Sequence, residues 1–160
     1  FLITVSGDVA GQAEAVVVKS QLAQVGINVD IQSYELLTAY DKEDNGHSQM
    51  GERYWTNDII DPDEVATFGA DCKGGANAFN SYWCSTEATK LVNQARAELD
   101  PAKRQEMYNR IQQVVYDESP YLVIDYSPYR YGVGDWVHGF HVSPLGAYNL
   151  SLQTLTVSPH

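Results

Sequence analysis

Residues 1–56 alternate short apolar runs with segments of helical period, and that alternation limits the fold more than any other feature of the chain. LITVS at 2–6 is a first strand. GQAEAVVVKSQLAQVG follows, with Ala15, Val18, Leu22 and Val25 at three- and four-residue steps and Gly26 closing the helix as C′. INVDIQSYE turns Ile27, Val29 and Ile31 inward on a second strand over 27–34. LLTAYDKEDNG is a short helix that again stops on glycine, and SQMGERYWT carries a third strand over 48–55. A β-α-β-α-β order with connections of this length predicts neighbouring parallel strands joined by right-handed crossovers.

The remainder changes character. FGADCKGGANAFNSYWCS, rich in glycine, alanine and asparagine, reads as a surface loop. Two helices are predicted after it, over 86–99 and 101–118. Asp100 serves the second as N-cap and Pro101 as first helical residue, and Ser119-Pro120 ends it. Leu91, Ala95, Met107, Ile111 and Val115 are expected to pack both helices on the sheet. The tail is β-rich and aromatic, with turns at Ser127-Pro128 and at Pro144-Leu145-Gly146.

Charge removes several functions. The net charge of −11 argues against nucleic acid, which is bound largely by Lys and Arg, and against docking on anionic lipid. No apolar run approaches the ~20 residues of a membrane helix. The 160 residues suit one domain of ordinary size. FLITVSG is apolar from its first residue and has no basic n-region, so it reads as a strand entered in mid-protein and not as a signal peptide.

The stretch YWTNDIIDPDE, residues 54–64, holds the candidate chemistry. Asp58, Asp61, Asp63 and Glu64 are hard oxygen ligands, but the glycine and the spacing of a calcium loop are missing. His138 and His141 point to opposite faces if extended, and Cys72 and Cys84 lack the CxxC spacing of a zinc site. Asp58 and Asp61 could form the acid–base pair of a hydrolase only if their pKa values were pushed apart. A ligand clamp fits better. Tyr54 and Trp55 end the third strand, whose carboxyl end faces a crevice in sheets of this kind. Their rings offer a flat apolar wall, and Asp58 a fixed acceptor for a cationic or hydroxyl group. Asp61 is read as a helix cap before Pro62, with Asp63 and Glu64 suiting the helix dipole.

These pieces in this order resemble the extracellular solute-binding proteins of ABC importers, of the dipeptide- and oligopeptide-binding type. QLAQVGINVDIQSYE, YWTNDIIDPDE, the run from NSYWCSTEATKLVNQARAEL to YLVIDY, and VHGFHVSPLGAYNL carry the resemblance, which covers nearly the whole chain. It implies an α/β fold with a mixed sheet flanked by helices, as in the C-terminal lobe of a two-lobed, type II-like binding protein. Residues 1–135 would form the ligand-binding lobe, and 136–160 would return toward the other lobe. The Asp after Trp-Thr-x holds a peptide's α-amino group in such proteins, which assigns that role to Asp58. Tyr54, Trp55, Thr56 and Asn57 would line the same wall. The resemblance also implies a Cys72–Cys84 disulfide, worth roughly 3 kcal/mol for a loop of that size.

One departure stands out. Dipeptide binders are expected to carry an Arg and a Tyr after the first strand to hold the ligand's carboxylate, whereas this loop reads SGDVAGQ. The expected protein is thus a monomeric, non-enzymatic receptor, periplasmic or extracellular, or lipid-anchored by an N-terminus missing here. Its partners would be a peptide or small solute and ABC permease subunits; neither a cofactor nor a metal is implied. Competing readings are a lobe for a sugar, opine, nickel or haem-type ligand, a carboxylate hydrolase, and a domain whose acidic face docks a protein.

Overall fold

In the computed structural model, residues 1–75, 79–126, 128, 130–144 and 152–159 are described. The chain divides into two compact units, Phe1–Trp55 and Thr56–His160.

The first unit is built round strand β1 (Leu2–Val5). It pairs in parallel with β2 (Ile31–Tyr34) on one side and β3 (Met50–Gly51) on the other, giving the order β2-β1-β3. In the register, Leu2 lies opposite both Ile31 and Met50. The central place of β1 buries Leu2, Ile3 and Thr4 together, and the Thr4 hydroxyl is satisfied by donating to Ser33 Oγ at 3.1 Å. Helix α1 (Val9–Gln24) joins β1 to β2, and α2 (Leu36–Asp44) leads back toward β3. Because the chain winds from β1 out to β2 and then back past β1 to β3, right-handed crossovers assign these helices to opposite faces. Leu2, Ala15 and Val29 form the core, flanked by Leu22, Ile31 and Met50.

Several boundaries differ from expectation. Helix α1 starts at Val9, because Asp8 caps it by accepting the Gly11 N–H at 3.1 Å. Gly26 takes the left-handed φ of 85° past its end, as a C′ glycine should, but Val25 at the C-cap is exposed. β2 begins at Ile31 and not at 27, since pairing starts opposite Leu2; Ile27 lies before it and is exposed, while Val29 is buried. β3 covers Met50–Gly51 and not 48–55. The ladder stops where Arg53 pairs with Glu43 and Asp44 of α2 and lies 4.2 Å over the Tyr40 ring.

The second unit is helical. α3 (Pro62–Ala70), α4 (Thr86–Ala97) and α5 (Pro101–Glu118) share one core. Small residues let them approach closely: Ala66 and Ala70 from α3, then Ala88, Val92 and Ala95 from α4. α5 adds Tyr108, Ile111 and Val114, and Leu91, Met107 and Val115 pack at the margin. The expected packing of α4 and α5 on the sheet is therefore corrected: their buried residues face α3 and each other. Leu99 is 94% exposed, because α4 ends at Ala97 and leaves it in the link to α5. In the tail, β4 (Val137–His138) pairs antiparallel with β5 (Thr156–Val157), the one strand pair there among the described residues. Ser127, Leu145 and Gly146 of the expected turns lie outside the described residues.

Cys72 and Cys84 are joined, with their Cα atoms 4.8 Å apart. The bridge fastens the loop between α3 and α4. Cys72 N–H donates to Thr89 Oγ1 at 3.0 Å, and Trp83 Nε1 donates to Glu118 Oε2 at 2.6 Å. Gly74 packs its backbone on the Thr67 carbonyl so tightly that a Cβ has no room. The bridged residues are 12 apart in sequence, so replacing both cysteines by alanine should cost the helical unit about 3 kcal/mol in the chain-entropy account. Denaturant unfolding of the oxidised parent and of Cys72→Ala/Cys84→Ala measures it. Equal midpoints would show that Trp83–Glu118 and packing hold the loop alone.

Candidate functional site

Asp58 lies on the loop that leads into α3, and the loop is held from below by Glu64. The Glu64 carboxylate accepts the Asp58 N–H at 3.1 and 2.9 Å and the Ile59 N–H at 3.0 Å. Asp61 caps α3, accepting the Asp63 N–H at 2.8 Å, as the Asp-Pro sequence predicts. It also does something the sequence does not announce. Its two oxygens accept from Arg104 at 3.0 and 2.7 Å in a bidentate pair. Arg104 then donates from Nε to the Ala95 carbonyl near the end of α4, and from Nη2 to Tyr108 Oη at 2.9 Å. A second arginine, Arg96, binds Asp63 at 3.2 Å and Thr67 Oγ1 at 2.6 Å.

This lattice leaves Asp58 distinct. Asp61 and Asp63 are both paired with arginines, whereas Asp58 is exposed and its carboxylate meets no donor among the described residues. The hydrogen bonds from Arg104, and after them the Asp63 N–H, hold the Asp61 carboxyl below the usual carboxylate range. Asp61 thus stays ionised and engaged. It does not supply the raised-pKa acid that a carboxylate hydrolase built on Asp58 and Asp61 needs.

Of the other expected site residues, Thr56 and Asn57 are half-buried on the approach to Asp58. Tyr54 and Trp55 lie beyond the end of β3 and not on it, 62% and 41% exposed. The division of the chain puts Tyr54 and Trp55 in the first unit and Thr56, Asn57 and Asp58 in the second. Sequence reasoning gave Glu64 only the helix dipole, not the Asp58 backbone, and missed Arg104 as part of this region. Glu64 was findable, because it stands three residues after the Asp61 cap, where a capping-box side chain reaches back. Nothing marks Arg104, 43 residues from its partner.

The first unit carries a negative field of its own near the carboxyl ends of β1 and β3. Asp8 follows β1 and Glu52 follows β3, and both side chains crowd the space beside Gly11. Burial, then the charges of Asp8, Glu14 and Glu43, push the Glu52 carboxyl up. Burial likewise pushes Glu43 up, against the opposing pull of its Arg53 partner. The loop after β1 offers no cation, only Asp8. Among the described residues no group of three His, Cys, Asp or Glu side chains could hold a metal ion.

Solved periplasmic peptide-binding proteins are similar to this chain in fold. The dipeptide-binding protein of Pseudoalteromonas in complex with Met-Leu superposes with a TM-score of 0.74 at 22% identity, over 98% of this chain and 32% of that one. A Helicobacter pylori periplasmic binding protein in complex with a peptide gives 0.70 at 24% identity, over 76% of this chain and 24% of that one. Residues 1–77 match the bacterial extracellular solute-binding proteins, family 5 Middle. The dipeptide-binding protein of Escherichia coli is 32% identical over 136 residues, 84% of this chain and 25% of that protein. The Pseudomonas aeruginosa dipeptide-binding protein is 33% identical over 132 residues, 81% of this chain and 24% of that protein. Over those residues and these alignments the chain is similar to the family 5 extracellular solute-binding proteins. It spans about a quarter of the length of the curated relatives it matches.

The Asp61–Arg104 pair has a pH signature. The folded pKa of Asp61 lies below its unfolded value, so its stabilisation is present above the ordinary carboxylate pKa of about 3.9 and is lost as pH falls through the folded value. Asn still caps a helix, so Asp61→Asn isolates the charge. The variant should be less stable at neutral pH by about 1–2 kcal/mol, a figure kept low because the pair is partly exposed. The gap should close in acid. Denaturant unfolding of both proteins from neutral pH down to about pH 2 checks it, and a gap that persists there would assign the loss to capping.

Proposed function

We propose that this chain is one lobe of a two-lobed receptor that captures a peptide, or a related small solute with a free amino group, and presents it to an ABC permease. The observation that carries the reading is the Asp58 carboxylate: exposed, without a donor among the described residues, on a loop whose neighbouring acids are all engaged. A carboxylate on a backbone that Glu64 holds suits an ammonium group, whose three donors need a fixed acceptor. Relatives named as dipeptide-binding proteins support the peptide class. In this reading residues 1–135 form the lobe and 136–160 return toward the other lobe. Thr56 and Asn57 line the wall beside Asp58. The receptor works as a monomer outside the cytoplasm, where the Cys72–Cys84 bridge persists. It needs no cofactor and performs no catalysis.

A cationic solute is the second reading. Asp8 and Glu52 stand where a ligand carboxylate would need a positive group, so a ligand rich in positive charge fits the first unit better than a plain dipeptide. Native mass spectrometry of the full-length receptor, purified without refolding, identifies the co-purified solute and decides between the two.

Asp58→Asn in the full-length receptor should weaken binding of a free-amino ligand about ten- to hundredfold, the worth of a hydrogen bond between charged groups. Its melting curve should match the parent's. Isothermal titration with the co-purified solute measures the first and calorimetry the second. Unchanged affinity with early melting would make Asp58 a structural residue.

A further inference from the structure

We infer that Glu64 is a positioning residue for the Asp58 carboxylate; the inference rests on the reading of Asp58 just given. Glu64 occupies the third position of α3, from which a capping-box side chain normally returns to the N–H of the cap residue. Here it passes the cap, Asp61, and takes the N–H groups of Asp58 and Ile59 instead. Those two amides flank the Asp58 Cα. Fixing both sets the direction of its Cα–Cβ bond and leaves the side chain only its own rotamers.

Stability does not require this arrangement. The amides sit in an exposed loop, where water can satisfy them, and Ile59 and Ile60 beside them are 50% and 74% exposed. No buried apolar side chain anchors the stretch, so the Glu64 bonds are what restrict it. Glu64 in turn rides on a helix start that Arg104 fixes through Asp61. The support runs from α5 through Arg104 and Asp61 to the first turn of α3, and from Glu64 to the Asp58 backbone. A carboxylate presented this way meets an ammonium group without first paying the entropy of ordering its loop.

The test uses the full-length receptor, with Met-Leu and N-acetyl-Met-Leu as probes. Glu64→Asp keeps the negative charge at the helix start but shortens the reach by one methylene. Glu64→Gln keeps the reach and one accepting oxygen. Glu64→Asp should speed hydrogen exchange in the peptide spanning 56–61 and lower affinity for Met-Leu about tenfold, while Glu64→Gln stays within about threefold of the parent. Binding of the acetylated probe should move less than about twofold in either variant, because it brings no ammonium group. In an Asp58→Asn background, Glu64→Asp should add less than about twofold. Additive losses, or unchanged exchange at 56–61, overturn the inference and leave the Asp58 reading standing. If the parent does not prefer Met-Leu over its acetylated form, or if Asp58→Asn leaves that preference intact, the reading of Asp58 falls and this inference with it.

Discussion

The Arg104 guanidinium is the contact on which the helical unit depends. It pairs in two-pronged fashion with the residue that starts α3, and it accepts the charge of that cap while filling its remaining lone pairs. Its third nitrogen closes on the Ala95 carbonyl in the last turn of α4, which also accepts the Glu98 N–H. Its own helix contributes Tyr108, whose ring lies 5.1 Å from the guanidinium and whose hydroxyl accepts from it. Three helices are thus referred to one planar group, and the alanines between them can pack closely because that group sets the spacing at the open end. Lysine would supply the charge there but not the fork.

The same geometry explains why the acidic run between 58 and 64 is not one site but three local tasks. Asp61 and Asp63 are taken by arginines from α5 and α4, and Glu64 by backbone amides. Only Asp58 is left facing outward with nothing to hold among the described residues. Four carboxylates in seven residues would repel one another if all were idle. Distributing three of them over donors makes the fourth affordable.

Much of this was legible in the sequence, and the failures have physical causes. The β-α-β-α-β order, the glycine stop at Gly26, the cap at Asp61 and the start of α5 at Pro101 all follow from local rules, since each depends on residues a few positions apart. The strand lengths were overestimated because periodicity reports which residues suit a strand, not how long a four-residue partner can pair. The helix expected over 86–99 ends two residues early, because Leu99 stands at helical spacing but beyond the end of α4 at Ala97. The packing of α4 and α5 failed for a different reason. An apolar face declares that it will be buried, but not against what, and α3 with Ala66 and Ala70 offered a surface the pattern did not rank. Asp58 was picked out by elimination within its own loop. Arg104 could not be, since its partner is remote in sequence.

The disulfide has a kinetic consequence that its stabilising role does not reveal. Cys72 and Cys84 both lie within the span that must loop back before Arg104 can reach Asp61. Oxidation therefore shortens that search, but only by roughly a quarter of its length, and closure entropy grows so slowly that the saving is a few tenths of a kcal/mol. The thiols can oxidise before the helices dock or after them with almost no change in the barrier to docking. The helical unit is thereby freed from any required order of events, and its assembly is insensitive to how quickly an oxidant finds the two thiols.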